Sequence, residues 1–167
     1  MSQSVQVKVF TDPGATLPVR ATSGAAGHDV CARLDPDTAF IEIAPGDRIT
    51  IPTGLYFEIP EGCFITLRPR SGLALKKGLT LLNTPATIDS DYRGELRVLV
   101  INLGHEPVRI EHGDRIAQLL VERVVPIEWT RVESRDEFTD SERGQGGFGS
   151  TGTGSGASDG VAGTALA

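Results

Sequence analysis

The most informative part of the chain is residues 87–103, which read TIDSDYRGELRVLVINL. Residues 87–95 place two carboxylates, a phenol and a guanidinium in a polar turn, and residues 95–103 form a largely apolar, strand-like run. Turns between strands are where rigid scaffolds present reactive groups, and a carboxylate fixed there can act as a general base. An ordinary solvated hairpin turn, with Asp in its usual turn role, is the alternative interpretation.

The apolar run continues without alternation through residues 98–101, so both faces of the predicted strand must be covered. In a small domain, subunit packing would cover the second face, and this predicts a homo-oligomer. A central position in a β-sandwich is the alternative explanation of the same pattern.

Short strands follow one another along most of the chain. Val5, Val7 and Val9 alternate with polar residues, which is the pattern of a half-buried strand. The predicted strands are residues 5–9, 40–43, 48–51, 55–59, 63–67, 79–82, 96–103, 108–110 and 116–125. Turn signals such as Pro52-Thr53-Gly54 separate them. Many short strands with turns at this spacing indicate an all-β sandwich or barrel.

A single short helix is predicted at residues 71–78, which read SGLALKKG. Ser71 is the expected N-cap, lysines occupy the last turn and Gly78 is the expected stop. The helix N-terminus lies beside Arg70, which makes it a candidate site for an anion. A plain connector helix is the alternative.

The composition of the chain limits its partners. A length of 167 residues suits one domain with a real core. The net charge of −6 argues against a nucleic-acid partner, which normally meets a basic face. A small anion is not excluded, because basic residues cluster locally at Arg68, Arg70, Lys76 and Lys77. The chain shows no membrane-length apolar run and no signal-peptide pattern, which predicts a cytoplasmic protein without a membrane partner.

The cysteines and histidines are not spaced like the ligands of a metal site. Cys31 and Cys63 lie in apolar patterns and are predicted to be buried free thiols. The three histidines are scattered without metal-ligand spacing, so no zinc site is predicted.

The composition changes from about Ser134 onward. Residues 144–167 are rich in Gly, Ser, Thr and Ala, and such a segment cannot bury enough surface to fold alone. The segment is either a flexible tail without function or a lid that becomes ordered over a ligand. A lone aromatic residue among the glycines, Phe148, favours the lid.

Five local patterns occur in a fixed order along residues 5–152, and together they resemble the trimeric deoxyuridine triphosphate nucleotidohydrolases (dUTPases). The stretches that carry the resemblance are residues 26–30 (AGHDV), 69–72 (PRSG), 83–95 (NTPATIDSDYRGE), 113–118 (GDRIAQ) and 143–152 (RGQGGFGSTG). Each pattern alone is weak because glycine-rich runs are common, whereas five in order are specific. Ala86 stands where the family usually has glycine, and its methyl group is expected to alter slightly the close approach of the backbone to the base.

The resemblance implies an all-β, jelly-roll or β-barrel subunit of the dUTPase-like β-clip type, with one short helix and a flexible C-terminal arm. Residues 1–135 would form the barrel domain, residues 136–152 the arm, and residues 153–167 a disordered tail. Three such chains would form a homotrimer whose active sites are shared between subunits. The implied reaction is dUTP plus water giving dUMP and pyrophosphate, with Mg²⁺ as cofactor. It would limit uracil in DNA and supply dUMP for dTTP synthesis.

The resemblance also assigns roles at the nucleoside end of the substrate. Asp89 would activate the water that attacks the α-phosphorus, and replacing it by Asn should remove the base. Tyr92 would lie under the deoxyribose and leave no room for a 2′-hydroxyl. The uracil edge would be read by side-chain or backbone groups of Asn83, Thr87, Ile88, Asp89 and Arg97.

A second set of residues would contact the phosphates and close the site. The residues implied to bind phosphate are Arg70, Ser71, Gly72, Gln118, Arg143, Ser150 and Thr151. Phe148 would stack on the uracil. Asp29 would orient a water of the Mg²⁺ shell, because Mg²⁺ usually keeps waters and binds substrate phosphates.

Two other functions fit the same scaffold. One is a dCTP deaminase or a bifunctional deaminase–diphosphatase, which needs a proton shuttle at the exocyclic amine. The other is a non-catalytic nucleotide-binding protein. The Asp-Tyr hairpin and the complete fifth pattern favour hydrolysis over both.

Overall fold

The computed structural model of the protein describes residues 4–147. Its elements are β1 (Lys8–Thr11), β2 (His28–Cys31), β3 (Ile41–Ile43), β4 (Arg48–Glu58), β5 (Cys63–Arg68), α1 (Ser71–Lys77), β6 (Leu79–Leu81), β7 (Ala86–Ile88), β8 (Glu95–Asn102), β9 (Val108–Ile110), β10 (Arg115–Arg123) and the 3₁₀ turn η1 (Arg135–Glu137). The predicted all-β architecture with a short helix is confirmed. Among these residues, no helix has the length and apolar character needed to cross a membrane.

The strands form two four-stranded antiparallel sheets, with orders β1-β4-β8-β6 and β2-β10-β5-β7, and a two-stranded ribbon of β3 and β9. A hydrophobic core joins side chains from both sheets and from the ribbon. Cys31 and Cys63 are both buried and free, as predicted.

β8 shows how the sequence produces this arrangement. Its even-numbered residues Leu96, Val98, Val100 and Asn102 are buried in the core. The odd-numbered residues lie on the opposite face of the sheet, because successive side chains of a strand alternate. β8 is central in its sheet, since it pairs with both β4 and β6.

The predicted turn at Pro52-Thr53-Gly54 is wrong. β4 runs without interruption from Arg48 to Glu58, and its register against β8 shifts between Pro52 and Tyr56. The extra residues form a β-bulge, in which Gly54 adopts a left-handed conformation with φ of 65°. The residues that suggested a turn therefore bend one strand instead of separating two.

Two strands, β2 and β7, lie outside the predicted set. β7 has only three residues and is defined by its pairing with β5. β2 begins with His28 and Asp29, whose polarity hides the strand pattern. Other limits differ by a few residues; the strand predicted at 5–9, for example, is β1 at Lys8–Thr11.

The helix prediction holds except at its first residue. Ser71 is not the N-cap; Arg70 holds that position and makes no capping bond with its side chain. Lys76 and Lys77 occupy the last turn as predicted. Gly78 ends the helix in a left-handed conformation with φ of 67°, which glycine adopts without a Cβ penalty.

The described chain divides into two compact units, and the division falls between Pro126 and Ile127. The C-terminal unit contains η1, where Ser134 and Glu137 form a reciprocal capping box. The domain limit at residue 135 and the arm at 136–152 stay predictions. The tail predicted at 153–167 lies outside the described residues.

Replacing Asn102 by Ala should destabilise the fold by about 3 kcal/mol, because unsatisfied buried groups each cost about 1–3 kcal/mol. The Asn102 side chain is fully buried and donates to Ile43 O at 2.9 Å and to Glu106 O at 2.8 Å, and it accepts from Gly104 N at 2.9 Å. Urea unfolding followed by circular dichroism at one fixed protein concentration would measure the change. A shift below about 0.5 kcal/mol, the range typical of surface substitutions, would contradict this role.

Candidate active site

The turn after β7 is held by its own backbone and by one arginine. Tyr92 N donates to Asp89 O at 3.2 Å. Arg93 Nη1 donates to Ser90 O at 2.6 Å and to Tyr92 O at 2.9 Å. Asp89 is exposed on this braced turn, so its backbone is held in place while its carboxylate is open to water.

A cavity of about 220 Å³ adjoins the turn. Its apolar lining comes from the strands and consists of Leu67, Leu81, Ala86, Ile88, Leu96 and Leu99. Its polar lining consists of Asn83, Thr87, Asp89, Tyr92, Glu95 and Arg97. The structure therefore brings together the residues predicted for the nucleoside end with the exception of Phe148, which lies outside the described residues. Apolar walls with a few convergent polar groups are typical of small-molecule sites.

We call this the hairpin cavity after the predicted hairpin turn, although β7 and β8 lie in different sheets and the prediction of a hairpin is wrong. Tyr92 is held in a defined position beside the hairpin cavity. Its hydroxyl donates to Glu95 O at 3.0 Å. The ring packs against Gly94, where an added Cβ would lie 2.6 Å from Tyr92 Cζ. The glycine is thus needed for space, and any larger residue would displace the tyrosine.

Glu95 lines the hairpin cavity but is not among the predicted site residues. Its Oε1 accepts from Thr53 N at 3.0 Å and Gly54 N at 2.9 Å. Its Oε2 accepts from Arg97 Nη1 at 3.2 Å. The sequence does contain one signal for the last contact, since residues two apart on a strand share a face. The contacts to β4 have no local signal.

A second cavity, of about 570 Å³, lies at the start of α1. Its lining includes Asp29, Arg70, Ser71, Gly72 and Gln118, which are the predicted phosphate and metal-water residues outside the C-terminal unit. Lys76 and Lys77 add positive charge to the lining. We call this the helix cavity. Positively charged side chains outnumber negatively charged ones in its lining, which favours an anionic ligand.

The first, second and fourth sequence patterns meet in this helix cavity. Gln118 Nε2 donates to Pro69 O at 2.9 Å. Gly27 packs against the same glutamine, and a Cβ there would lie 2.6 Å from Gln118 Oε1. Gly27 therefore makes the space that Gln118 occupies.

Asp29 is paired with two arginines. Arg70 Nε donates to its Oδ1 at 3.0 Å, and Arg115 Nη1 donates to its Oδ2 at 3.1 Å. Arg115 was not predicted as a site residue, although it lies inside the fourth pattern.

The thiol of Cys31 lies near Asp29. Burial, and next the negative charge of Asp29, raise the pKa of this thiol. Cys31 is therefore held in its protonated form and is a poor nucleophile.

The side chains of the helix cavity could hold Mg²⁺ only through water molecules bound to the ion. Within residues 4–147, no three His, Cys, Asp or Glu side chains are grouped so that they could hold a metal ion. Each oxygen of Asp29 already accepts one N–H, but a carboxylate has about four lone-pair sites. Asp29 can therefore still accept from a water of a hydrated ion.

The remaining predicted residues belong to the C-terminal unit or lie beyond the described chain. Arg143 Nε donates to Gly146 O at 2.8 Å, and Gly146 N donates to Arg143 O at 3.0 Å. Phe148, Ser150 and Thr151 lie outside the described residues.

Comparison with known proteins assigns the family. The dUTPase family model matches residues 14–152. The chain belongs to the dUTPase family. A deoxyuridine 5′-triphosphate nucleotidohydrolase of Brucella melitensis is 51% identical over 140 residues, covering 84% of this chain and 87% of the relative. That of Fusobacterium nucleatum is 49% identical over 150 residues, covering 90% and 99%.

Solved dUTPase structures share the fold. A Staphylococcus bacteriophage 80alpha dUTPase mutant with dUpNHpp aligns with a TM-score of 0.74 at 27% identity, covering 91% of this chain and all of that chain. A phage phi11 dUTPase mutant described with a structural Mg(II) ion aligns with a TM-score of 0.66 at 22% identity, which shows the fold alone. The predictions of a dUTPase family member, of its fold and of a dUTP diphosphatase are confirmed.

Proposed function

We propose that this dUTPase family member hydrolyses dUTP to dUMP and pyrophosphate with Asp89 as the base that activates water for attack on the α-phosphorus. The observation that carries the proposal is the exposed Asp89, fixed on a braced turn beside the hairpin cavity. A positioned carboxylate needs only hydrogen-bond reach to a water to act in this way. Family membership supports dUTP hydrolysis, and the geometry supports the assignment of the base.

The hairpin cavity would take the deoxyuridine. The side-chain amide of Asn83 can both donate and accept, which suits the uracil edge. Backbone groups of residues 87–89, together with the backbone near Arg97, would complete the recognition of the base. The Tyr92 ring would lie under the deoxyribose and exclude a 2′-hydroxyl by steric conflict.

The helix cavity would take the triphosphate. Arg70 supplies a guanidinium, Ser71 a hydroxyl, Gly72 open backbone access and Gln118 an amide donor. When bound to the triphosphate, Mg²⁺ would neutralise part of its charge, and Asp29 would hold one of its waters. The protein groups orient the phosphates so that the water held by Asp89 is in line with the α-phosphorus.

Among residues 4–147 the two cavities share no lining residue, and this supports a site built from several subunits. The outward face of β8 carries Leu99 and Ile101, and the neighbouring Leu82 and Leu103 are 45% and 65% exposed. Such an apolar face is expected to be covered by another copy of the chain. A homotrimer would do this, and light scattering should give three times the chain mass of 17.7 kDa.

The C-terminal residues would close the site. Arg143 would pair with the γ-phosphate, Phe148 would stack on uracil, and Ser150 and Thr151 would donate to phosphate oxygens. Closure would exclude water and align the reacting groups. The reaction would limit uracil in DNA and supply dUMP for dTTP synthesis, and we expect it to take place in the cytoplasm.

The decisive experiment is pyrophosphate release from dUTP, dTTP, dCTP and UTP, measured in parallel with Mg²⁺ and with EDTA. We expect release from dUTP, weak release from the other three, and loss of activity in EDTA. Ammonia release from dCTP would instead identify a deaminase. Tight dUTP binding without pyrophosphate release would identify a non-catalytic binding protein.

Gly94→Ala should lower kcat/KM for dUTP by about tenfold, which corresponds to about 1.4 kcal/mol. The added methyl would meet the Tyr92 ring and displace it from its place beside the hairpin cavity. The ratio of dUTP to UTP turnover should fall as well, because the steric exclusion of ribose would be relaxed. Gly24→Ala is the matched control, since a Cβ there meets no atom within 4 Å. Equal kinetics for the two variants would contradict the placement of Tyr92.

A further inference from the structure

We propose that Glu95 is a positioning residue that fixes Tyr92 and Arg97 at the nucleoside end of the site. The proposal rests on the proposed function, because it concerns how the deoxyuridine is held. Glu95 acts through its neighbours in this scheme and has no direct part in the chemical step.

The carboxylate of Glu95 joins two strands at the edge of the hairpin cavity. Thr53 N and Gly54 N donate to one oxygen, and Arg97 donates to the other. The Glu95 side chain is only 18% exposed, so these bonds are partly shielded from water. Charge-assisted hydrogen bonds are stronger than neutral ones, and partial burial strengthens them further.

The partner of Glu95 on β4 is a rigid anchor. Thr53 is fully buried, and its hydroxyl donates to Leu96 O at 2.5 Å. Gly54 packs so closely that a Cβ there would lie 2.9 Å from Ala15 Cβ. The bulge is thus fixed on both sides, and Glu95 is attached to an element that has little freedom to move.

Tyr92 depends on the same residue through the backbone. Its hydroxyl donates to the carbonyl oxygen of Glu95, and it makes this bond with an exposed ring. The side chain of Glu95 holds this end of β8 against the bulge, and so it also holds the carbonyl that Tyr92 uses. Glu95 therefore positions both Tyr92 and Arg97 beside the hairpin cavity.

Glu95 should affect substrate binding more than the chemical step. Tyr92 and Arg97 both line the hairpin cavity. The bonds that brace the turn of Asp89 come from Tyr92 N and from Arg93, and the carboxylate of Glu95 takes no part in them. Loss of the Glu95 contacts should therefore raise KM and leave kcat close to the wild-type value.

Glu95→Gln separates the contact of the side chain with β4 from its ion pair with Arg97. The amide oxygen can still accept from Thr53 N and Gly54 N, so the strand contact and the fold are retained. The amide nitrogen would then face the Arg97 guanidinium, and two donors cannot bond to each other. Arg97→Gln removes the same ion pair from the other side. Glu58→Gln is the matched control, because Glu58 lies at the end of β4 and the change breaks its exposed ion pair with Lys8 of β1.

Steady-state kinetics on dUTP should show KM raised about tenfold in Glu95→Gln, equivalent to about 1.4 kcal/mol, with kcat within about twofold of wild type. Arg97→Gln should show the same change, and the double variant should add little to either. Affinity for dUMP, measured by calorimetry, should fall by the same factor as KM rises. Inhibition by pyrophosphate, which reports the helix cavity, should stay unchanged, as should all values for Glu58→Gln.

Wild-type KM and dUMP affinity in Glu95→Gln would overturn the positioning of Arg97, whether or not the melting temperature of the variant falls. Glu95→Ala also removes the contacts to Thr53 and Gly54, and an unchanged ratio of dUTP to UTP turnover in that variant would overturn the positioning of Tyr92. A lower kcat at unchanged KM in Glu95→Gln would overturn the positioning role as well, because the residue would then act on the chemical step. Failure of the wild-type protein to release pyrophosphate from dUTP is a separate result, and it would overturn the proposed function.

Discussion

Asp89→Asn is expected to lower kcat for dUTP hydrolysis by about 10²–10⁴-fold, which is the usual effect of losing one general base. Asn retains the shape of the side chain and can still hydrogen-bond a water, but it cannot take a proton from it. The turn should keep its structure, because its bonds come from backbone groups and from Arg93. Single-turnover assays with saturating enzyme would separate this loss from any change in binding.

Asp91→Asn provides the comparison for that variant. Asp91 is the second carboxylate of the same turn and is also exposed, but it does not line the hairpin cavity. Its substitution should cost less than about tenfold if the cavity-lining acid is the base. Full turnover in Asp89→Asn, or an equal loss in both variants, would remove the assignment of Asp89.

Truncation after Ser141 should lower kcat/KM by about 10²–10⁴-fold, because hydrogen bonds to a charged group contribute about 1.5–3 kcal/mol each and several would be lost. The removed segment contains Arg143, proposed to bind the γ-phosphate, and Phe148, Ser150 and Thr151, proposed to close the site. Pyrophosphate release by the truncated and full-length chains at a range of dUTP concentrations would measure the loss.

The truncated chain should still fold. In the described part of the chain, the buried residues of the hydrophobic cluster lie between Val30 and Leu119, and the capping box of η1 lies before the cut. Its unfolding temperature should therefore stay close to that of the full-length protein. Truncation after Gly152 is the control, since it removes only residues beyond the match to the family model, and its kinetics should not change. Normal kinetics after truncation at Ser141 would exclude a role of the C-terminal segment in the reaction.

Local patterns in the sequence predicted the elements whose stability is local. The apolar run of β8, the short helix with Gly78 at its end and the polar turn before β8 all follow from neighbouring residues. The order of the five patterns was enough to predict the family and a set of candidate site residues, many of which line the two cavities. In contrast, the Pro52-Thr53-Gly54 stretch was wrongly predicted to be a turn. A bulge and a turn favour the same residue types, and the two differ only in whether a neighbouring strand, here β8, pairs with the chain on both sides.

The all-β class, the dUTPase resemblance and most of the candidate site residues follow from the sequence alone, but Glu95 and Arg115 do not. How the candidate residues are held depends on contacts between distant parts of the chain. Glu95 meets Thr53 and Gly54 across 42 and 41 residues, and Arg115 meets Asp29 across 86. The short strands β2 and β7 likewise exist because distant partners pair with them. Such contacts leave no periodic trace along the chain, because their energy comes from groups that are brought together only when the sheets form.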